Sequence, residues 1–162
     1  MNISRAERGD LSRILAIQKE AYLSEAALYE DDSLPPLTQS IEDIESEFQS
    51  KVFLKAEIRD VIIGSVRAHL AGNTCLIGRL IVDPLHQGQG VGSALLVRCE
   101  SIFDAANRFE LFTGTKSAGN IRLYERHGYV AYKEERISPR LTLIHMEKLK
   151  KADQTTWGKT RR

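Results

Sequence analysis

The chain has 162 residues, 42% of them apolar, with a formal net charge of +1 at pH 7. That length bounds one domain with a real core, and the charge balance gives no global bias toward nucleic acid. No apolar run reaches the about 18 residues of a membrane helix, and Met1–Arg5 lacks the apolar stretch of a signal peptide, so a cytoplasmic protein with no membrane partner is expected.

In chain order, Asn2–Ala6 reads as a short strand. Asp10 caps a helix that turns Leu11, Ile14, Leu15, Ile17, Tyr22 and Leu23 toward a core. Leu34-Pro35-Pro36-Leu37 stops any helix, and Thr38 or Ser40 caps the next one, which carries Ile41, Ile44 and Phe48. Val52–Ile58, Val61–Leu70 and Thr74–Val82 form a meander, with turns at Arg59-Asp60 and Ala71-Gly72-Asn73 and a bulge at Gly64. A helix follows the glycines after Val82 and runs to about Asn107. Phe109–Thr113 is a short strand, Ser117–His127 a helix with Gly128 at its C′ position, and Val130–Ile137 with Leu141–Glu147 a closing antiparallel pair. Residues 1–149 read as one domain and 150–162 as a basic, flexible tail in which Trp157 has no core partner. Cys75 and Cys99 form neither a disulfide framework nor a zinc signature, so both pack as small apolar residues and no metal is expected.

The stretch Gln87-Gly88-Gln89-Gly90-Val91-Gly92 stands between a strand and a helix. Its glycines let backbone approach a ligand, and the helix start offers unpaired N–H groups and a positive dipole end, which together suit a phosphate. A P-loop is excluded because no Lys follows the glycines, and a dinucleotide fingerprint fails because Ser93 stands at its third glycine. The stretch instead resembles, at every fixed position, the Gln/Arg-x-x-Gly-x-Gly/Ala pyrophosphate loop of the GNAT acetyltransferase superfamily. Leu80-Ile81-Val82-Asp83-Pro84 upstream looks like that family's fourth strand and its exit. Asn120-Ile121-Arg122-Leu123-Tyr124-Glu125-Arg126-His127-Gly128-Tyr129 looks like its second signature. The resemblance covers about Lys51 to Lys148, and the two N-terminal helices more loosely.

The resemblance implies a mixed α/β (α+β) fold with a mostly antiparallel sheet of six or seven strands, about four helices, and fourth and fifth strands that splay apart to hold an acyl-CoA. It implies an N-acetyltransferase that moves an acetyl group from acetyl-CoA, its co-substrate, to a primary amine. On this chain the backbone of Leu80, Ile81 and Val82 would pair with pantetheine, with an oxyanion contact from Val82 or its neighbour. The loop Gln87, Gly88, Gln89, Gly90, Val91, Gly92 and Ser93 would hold the pyrophosphate, with Ser117, Asn120 and Tyr124 as further contacts. Tyr124 matches the family tyrosine that protonates the departing thiolate, and a phenol of reference pKa about 10 keeps its proton at pH 7. The base is not evident: Glu110 shares a face with Phe112 on the fifth strand, His69 is a second candidate, and a water chain a third. A longer acyl-CoA, or a non-catalytic acyl-CoA sensor, are the alternatives.

Between Glu20 and Glu47 there are acidic residues but no Lys or Arg. In the superfamily this region forms a wall of the acceptor site. Carboxylates there would attract a cationic amine, with Glu25, Tyr29 and Glu30 as the expected contacts. A small polyamine-like, amino-acid or aminoglycoside-like amine, or a protein lysine or N-terminus, all fit. A free edge on Leu141–Glu147 offers a homodimer contact.

Overall fold

The structure, a computed structural model, describes residues 1–150; the rest of the basic tail, with Trp157, lies outside the described residues. Seven strands form one sheet: β1 (Asn2–Arg5), β2 (Val52–Ile58), β3 (Val61–Ala71), β4 (Thr74–Val82), β5 (Arg108–Gly114), β6 (Val130–Ser138) and β7 (Leu141–Leu149), in the order β1-β2-β3-β4-β5-β7-β6. Among the described residues only the β4–β5 pair is parallel, as its connection through a helix requires. The helices are α1 (Leu11–Tyr29), α2 (Pro35–Thr38), α3 (Ile41–Ser50), α4 (Val91–Ile102) and α5 (Ala118–Arg126). None among the described residues is long and apolar enough to cross a membrane.

Each face of the sheet carries its own core. On one, Val91, Leu95, Leu96 and Cys99 of α4 and Tyr124 of α5 pack on Leu54, Ala68, Cys75, Phe109 and Met146. On the other, Leu11, Ile14, Ile17 and Ile44 of α1 and α3 close over Phe53, Ile62 and Ile81. Cys75 and Cys99 are free and buried, and the hydrogen bond between them, then burial, push the Cys99 thiol up.

Local chemistry explains where the elements depart from expectation. Ser40, rather than Thr38, caps α3: its hydroxyl accepts from Asp43 N at 3.1 Å while Asp43 returns a bond to Ser40 N. Leu34–Leu37 does not exclude helix; Pro35 opens the one-turn α2, where a missing N–H costs nothing. Leu23 does not reach the core, being 62% exposed, because the buried stripe of α1 runs through Gln18, Ala26 and Tyr29. The glycine-loop helix stops at Ile102 rather than Asn107, since Asn107 N donates to Asn73 O and its carbonyl accepts from Lys150 N. The expected bulge falls beside Gly64, where Ile63 has no partner on β2. The Leu141–Glu147 strand is not a free edge: β7 is paired on both sides, by β5 and β6, and the sheet's edges are β1 and β6.

Candidate active site

The site begins where β4 and β5 part. They pair only from Thr74–Leu76 to Arg108–Glu110, and beyond that β5 continues on β7 alone through Gly114. The cause lies on the other side of β4. Ser65 pairs with Ile81 and Arg67 with Gly78, so Arg79 and Leu80 together face Val66. This bulge bends β4 away from β5, and it holds Arg79 at φ 49°, a left-handed conformation uncommon for a side chain of that size.

A groove of about 500 Å³ runs along the parted end of β4. One wall is Leu80, Ile81, Val82 and the loop after them; the other is α5, with Asn120, Arg122 and Arg126. The loop is built for exposed backbone. Asp83 ends the strand by accepting from Leu85 N at 3.0 Å and pairing with Arg13 at 3.2 Å, and Gln87 Nε2 donates to Val82 O at 3.3 Å. Gly90 caps α4 at φ 83° with no atom within 4 Å of where a Cβ would stand, and the first N–H groups of α4 have no acceptor within the helix. Ser93 Oγ, one turn in, bonds His127 Nε2 at 3.0 Å and ties α4 to α5. Gln87, Gly88, Gly90, Val91, Gly92 and Ser93 line the groove; Gln89 does not.

A second chamber, of about 310 Å³, lies under α2. Its walls are mostly apolar: Leu34, Pro35, Pro36, Ile77, Leu111, Phe112, Ile137, Leu141 and Leu143. Its charged residues are Glu25 and Arg79. Groove and chamber share Tyr22, Glu25, Leu80 and Asn120, so the two spaces meet at these residues. Tyr124 lines the chamber and is 6% exposed; burial first, then the neighbouring Tyr22 and Glu25, push its phenol well above the ordinary tyrosine range. Asn120 Nδ2 donates to Thr113 Oγ1 at 3.2 Å, which fixes the start of α5 against β5.

Glu25 is held by a polar chain. Lys116 N donates to the Tyr29 hydroxyl at 2.9 Å, Tyr29 pairs with Ser117 Oγ at 2.8 Å, and Ser117 Oγ donates to Glu25 Oε2 at 2.5 Å. The backbone N–H can only donate and a carboxylate only accept, so every hydroxyl proton in the chain points toward Glu25. Behind Tyr22 lies Arg67, 2% exposed, bonded to Gln18 Oε1 at 2.5 Å and to Glu47. Burial and the like charge of Arg79 bring Arg67 down to about 10, against the pull of Glu47. Burial would raise Glu47, but hydrogen bonds from Lys51 and Gln39 and the Arg67 charge take it to about 2.

The structure thus brings Glu25, Tyr29, Leu80, Ile81, Val82, Asn120 and Tyr124 to the two spaces and leaves other expected residues outside. Glu110 lines neither; Arg108 at 2.7 Å and Tyr132 at 2.5 Å hold it, and these bonds, against burial, keep its carboxyl below the usual range. His69, which pairs with Leu76, lines neither as well. Ser117 is buried and bonded to Tyr29 and Glu25, so it supports the chamber rather than facing the groove. Glu30 is exposed, and its contribution is a carbonyl that accepts from Arg140 Nη1 at 2.6 Å. Three cations escaped the sequence reading. Arg122 and Arg126 stand four apart, a helical spacing that could have placed both on the groove side of α5. Gly78-Arg79 interrupts the apolar run Leu76–Val82, the one visible sign of the bulge.

Comparison with known proteins agrees with this geometry. Residues 11–129 match the family model described as acetyltransferase (GNAT) family. Among curated proteins no sequence matches. The fold is similar to that of the ribosomal-protein-S18-alanine N-acetyltransferase of Escherichia coli, with TM-score 0.78 and 20% identity over 94% of this chain and 96% of that one. It is also similar to YncA of Salmonella typhimurium with its cofactor acetyl-CoA (TM-score 0.76, 20% identity, 94% and 95% covered). PaiA N-acetyltransferase of Thermoplasma acidophilum in complex with coenzyme A is a third likeness (TM-score 0.73, 20% identity, 92% and 99% covered). With the family model spanning most of its length and the glycine loop, splayed strands and groove all in place, the chain belongs to the GNAT acetyltransferase family and is an acetyl-CoA-dependent N-acetyltransferase.

Proposed function

We propose that the enzyme acetylates a primary amine by direct attack, with the donor in the groove and the acceptor in the chamber. The observation that carries this reading is the meeting of the two spaces at Tyr22, Glu25, Leu80 and Asn120, beside a buried Tyr124. Acetyl-CoA supplies an activated acyl group. The N–H groups after Gly90 suit its pyrophosphate, Arg122 and Arg126 balance the charge, and the backbone of Leu80–Val82, which has no partner on the β5 side, suits its pantetheine arm.

Glu25 is the carboxylate common to both spaces, so it receives the acceptor's ammonium and takes its proton. The freed lone pair forms the C–N bond as the C–S bond breaks, and Tyr124 gives its proton to the departing sulfur. As the amide forms the nitrogen sheds its second proton to solvent, and the proton taken by Glu25 restores the phenol through solvent, so the products are an N-acetylated amine, free thiol and one released proton. Burial raises the pKa of the Tyr124 phenol, so the proton donor stays protonated across the working range.

Thiol release from acetyl-CoA, measured against a panel of amines for wild type and Tyr124→Phe, tests the reading. The variant should retain acetyl-CoA binding and lose about 10²- to 10⁴-fold in kcat, the contribution of general acid–base catalysis. A loss below about threefold would remove Tyr124 from the chemistry.

A further inference from the structure

The acidic segment Glu20–Glu47 suggests a cation-rich ligand, but four of its carboxylates are engaged elsewhere. Asp43 caps α3, Glu45 faces Arg8, Asp31 bonds Ser33, and Glu47 is bound to Arg67 and Lys51. Among the described residues Glu25 alone of that segment's acids lines the groove or the chamber. A polyamine or aminoglycoside would therefore meet one carboxylate and, further in, a guanidinium.

That guanidinium is Arg79. It lines the chamber and not the groove, it has no carboxylate partner within salt-bridge reach among the described residues, and its Nε is buried without a hydrogen-bond partner. The nearby Arg67 adds like charge, while Glu47, which could have offset it, is bound to Arg67. An unpartnered buried donor beside a second cation calls for an anion. The Tyr22 hydroxyl is a neutral hydrogen-bond partner of the Arg79 side chain and also feels the charge of Glu25, so the guanidinium still lacks an anion. The remaining wall is aliphatic, and about 310 Å³ suits a small molecule.

We infer that the acceptor is a free amino acid with an apolar side chain, its carboxylate on Arg79, its amine at Glu25 and its side chain against Leu34, Ile77 and Leu143. This rests on the acetyl-transfer reading for the role of the amine, but the binding geometry can be tested without turnover. A peptide N-terminus has an amide where the carboxylate must lie and is disfavoured by the same guanidinium.

The test is calorimetric titration of protein saturated with CoA, a dead-end complex, with L-leucine, L-methionine and L-phenylalanine and with the matching carboxamides. At least one amino acid should bind roughly tenfold to a hundredfold tighter than its amide, the range of a hydrogen bond to a charged group. Arg79→Met should erase that preference and Arg79→Lys retain part of it, with acetyl-CoA affinity reporting that both variants are folded. Equal binding of acid and amide, binding of none of the three acids, or a preference that survives Arg79→Met would overturn the inference. Thiol release from acetyl-CoA with the same panel judges the other reading separately. An amino acid that binds through Arg79 but releases no thiol leaves the chamber assignment standing and removes the transfer step.

Discussion

Gly114→Ala should be among the most damaging single-methyl changes available to this chain. Gly114 ends β5 opposite Leu143, and a Cβ there would lie 1.9 Å from the Tyr29 hydroxyl oxygen, 2.3 Å from its Cζ and 2.9 Å from its Cε2. The ring cannot stay, so the phenol must withdraw. Forcing a methyl into packed surroundings costs about 1–3 kcal/mol. Withdrawal also breaks the bonds from Lys116 N and to Ser117 Oγ, each about 0.5–1.5 kcal/mol. The expected loss is thus about 2–6 kcal/mol, a large share of the roughly 5–15 kcal/mol that holds a domain together. At about 2–4 °C per kcal/mol for a domain of this size, Tm should fall by at least about 4 °C. The damage should reach the chemistry too, because Ser117 loses the partner that orients it toward Glu25. Urea unfolding of Gly114→Ala, Tyr29→Ala and the double variant isolates the clash. Removing the ring relieves the overpacking, so the double variant should be more stable than the two single losses predict, by more than about 1 kcal/mol. Additivity within about 0.5 kcal/mol, or a Gly114→Ala protein as stable as wild type, would refute the reasoning.

Three further outcomes are expected. Glu25→Gln preserves shape and an acceptor for Ser117 but removes the proton acceptor, so kcat/KM for the amine should fall by about 10²-fold or more with acetyl-CoA binding unchanged in titration. Gly90→Ala meets no atom but places a side chain at φ 83°, so it should cost about 1–2 kcal/mol in urea unfolding and raise the KM for acetyl-CoA as the loop N–H groups turn away. Glu47 has a folded pKa of about 2 against an ordinary 4.5, so its stabilising contribution, roughly 1–2 kcal/mol once solvent screening of the partly exposed carboxylate is allowed for, is fully present above about pH 5 and is lost as pH falls toward 2. The stability gap between wild type and Glu47→Gln, read from urea midpoints, should therefore be wide at pH 7 and narrow by pH 3; a gap independent of pH would count against the pair with Arg67.

What the sequence made legible is what backbone patterning encodes. The glycine loop, the alternating strands and the Asn120–Tyr129 signature all act through main-chain geometry or helical spacing, so their positions could be read before the fold was known. Long-range pairing was not legible. Glu110 looked free on its strand, but Arg108 and Tyr132 claim it. Ser117 stood where a donor contact was expected, but Tyr29, 88 residues away, turns it inward. The acidic segment looked like a field aimed at a ligand; several of its carboxylates are instead matched to a cap or cation, as Asp43 caps α3 and Glu47 pairs with Arg67. Gln18, buried against Pro36 O at 2.9 Å, was invisible for the same reason: its partners lie on α2 and β3.

One irregularity joins the two halves of the site. The bulge that turns β4 from β5 opens backbone toward the groove, and the same bulge turns Arg79 into the chamber. A glycine would adopt φ 49° without the roughly 1–2 kcal/mol that a larger residue incurs there. Arginine at that point adds a second cost, since its Nε is buried unpaired and Arg67 lies near. The bulge alone needs neither cost: splaying the strands is a matter of backbone, and any small residue would serve. A guanidinium placed at a strained position, beside a like charge, with its Nε unpaired and no carboxylate partner among the described residues, is accounted for by a ligand that supplies the missing anion. Donor access and acceptor selection then rest on adjacent residues of one strand, Leu80 lining both spaces and Arg79 lining the chamber. A change in the bulge should for that reason alter both KM values together, whereas a change in the Arg79 side chain alone should alter only that of the acceptor.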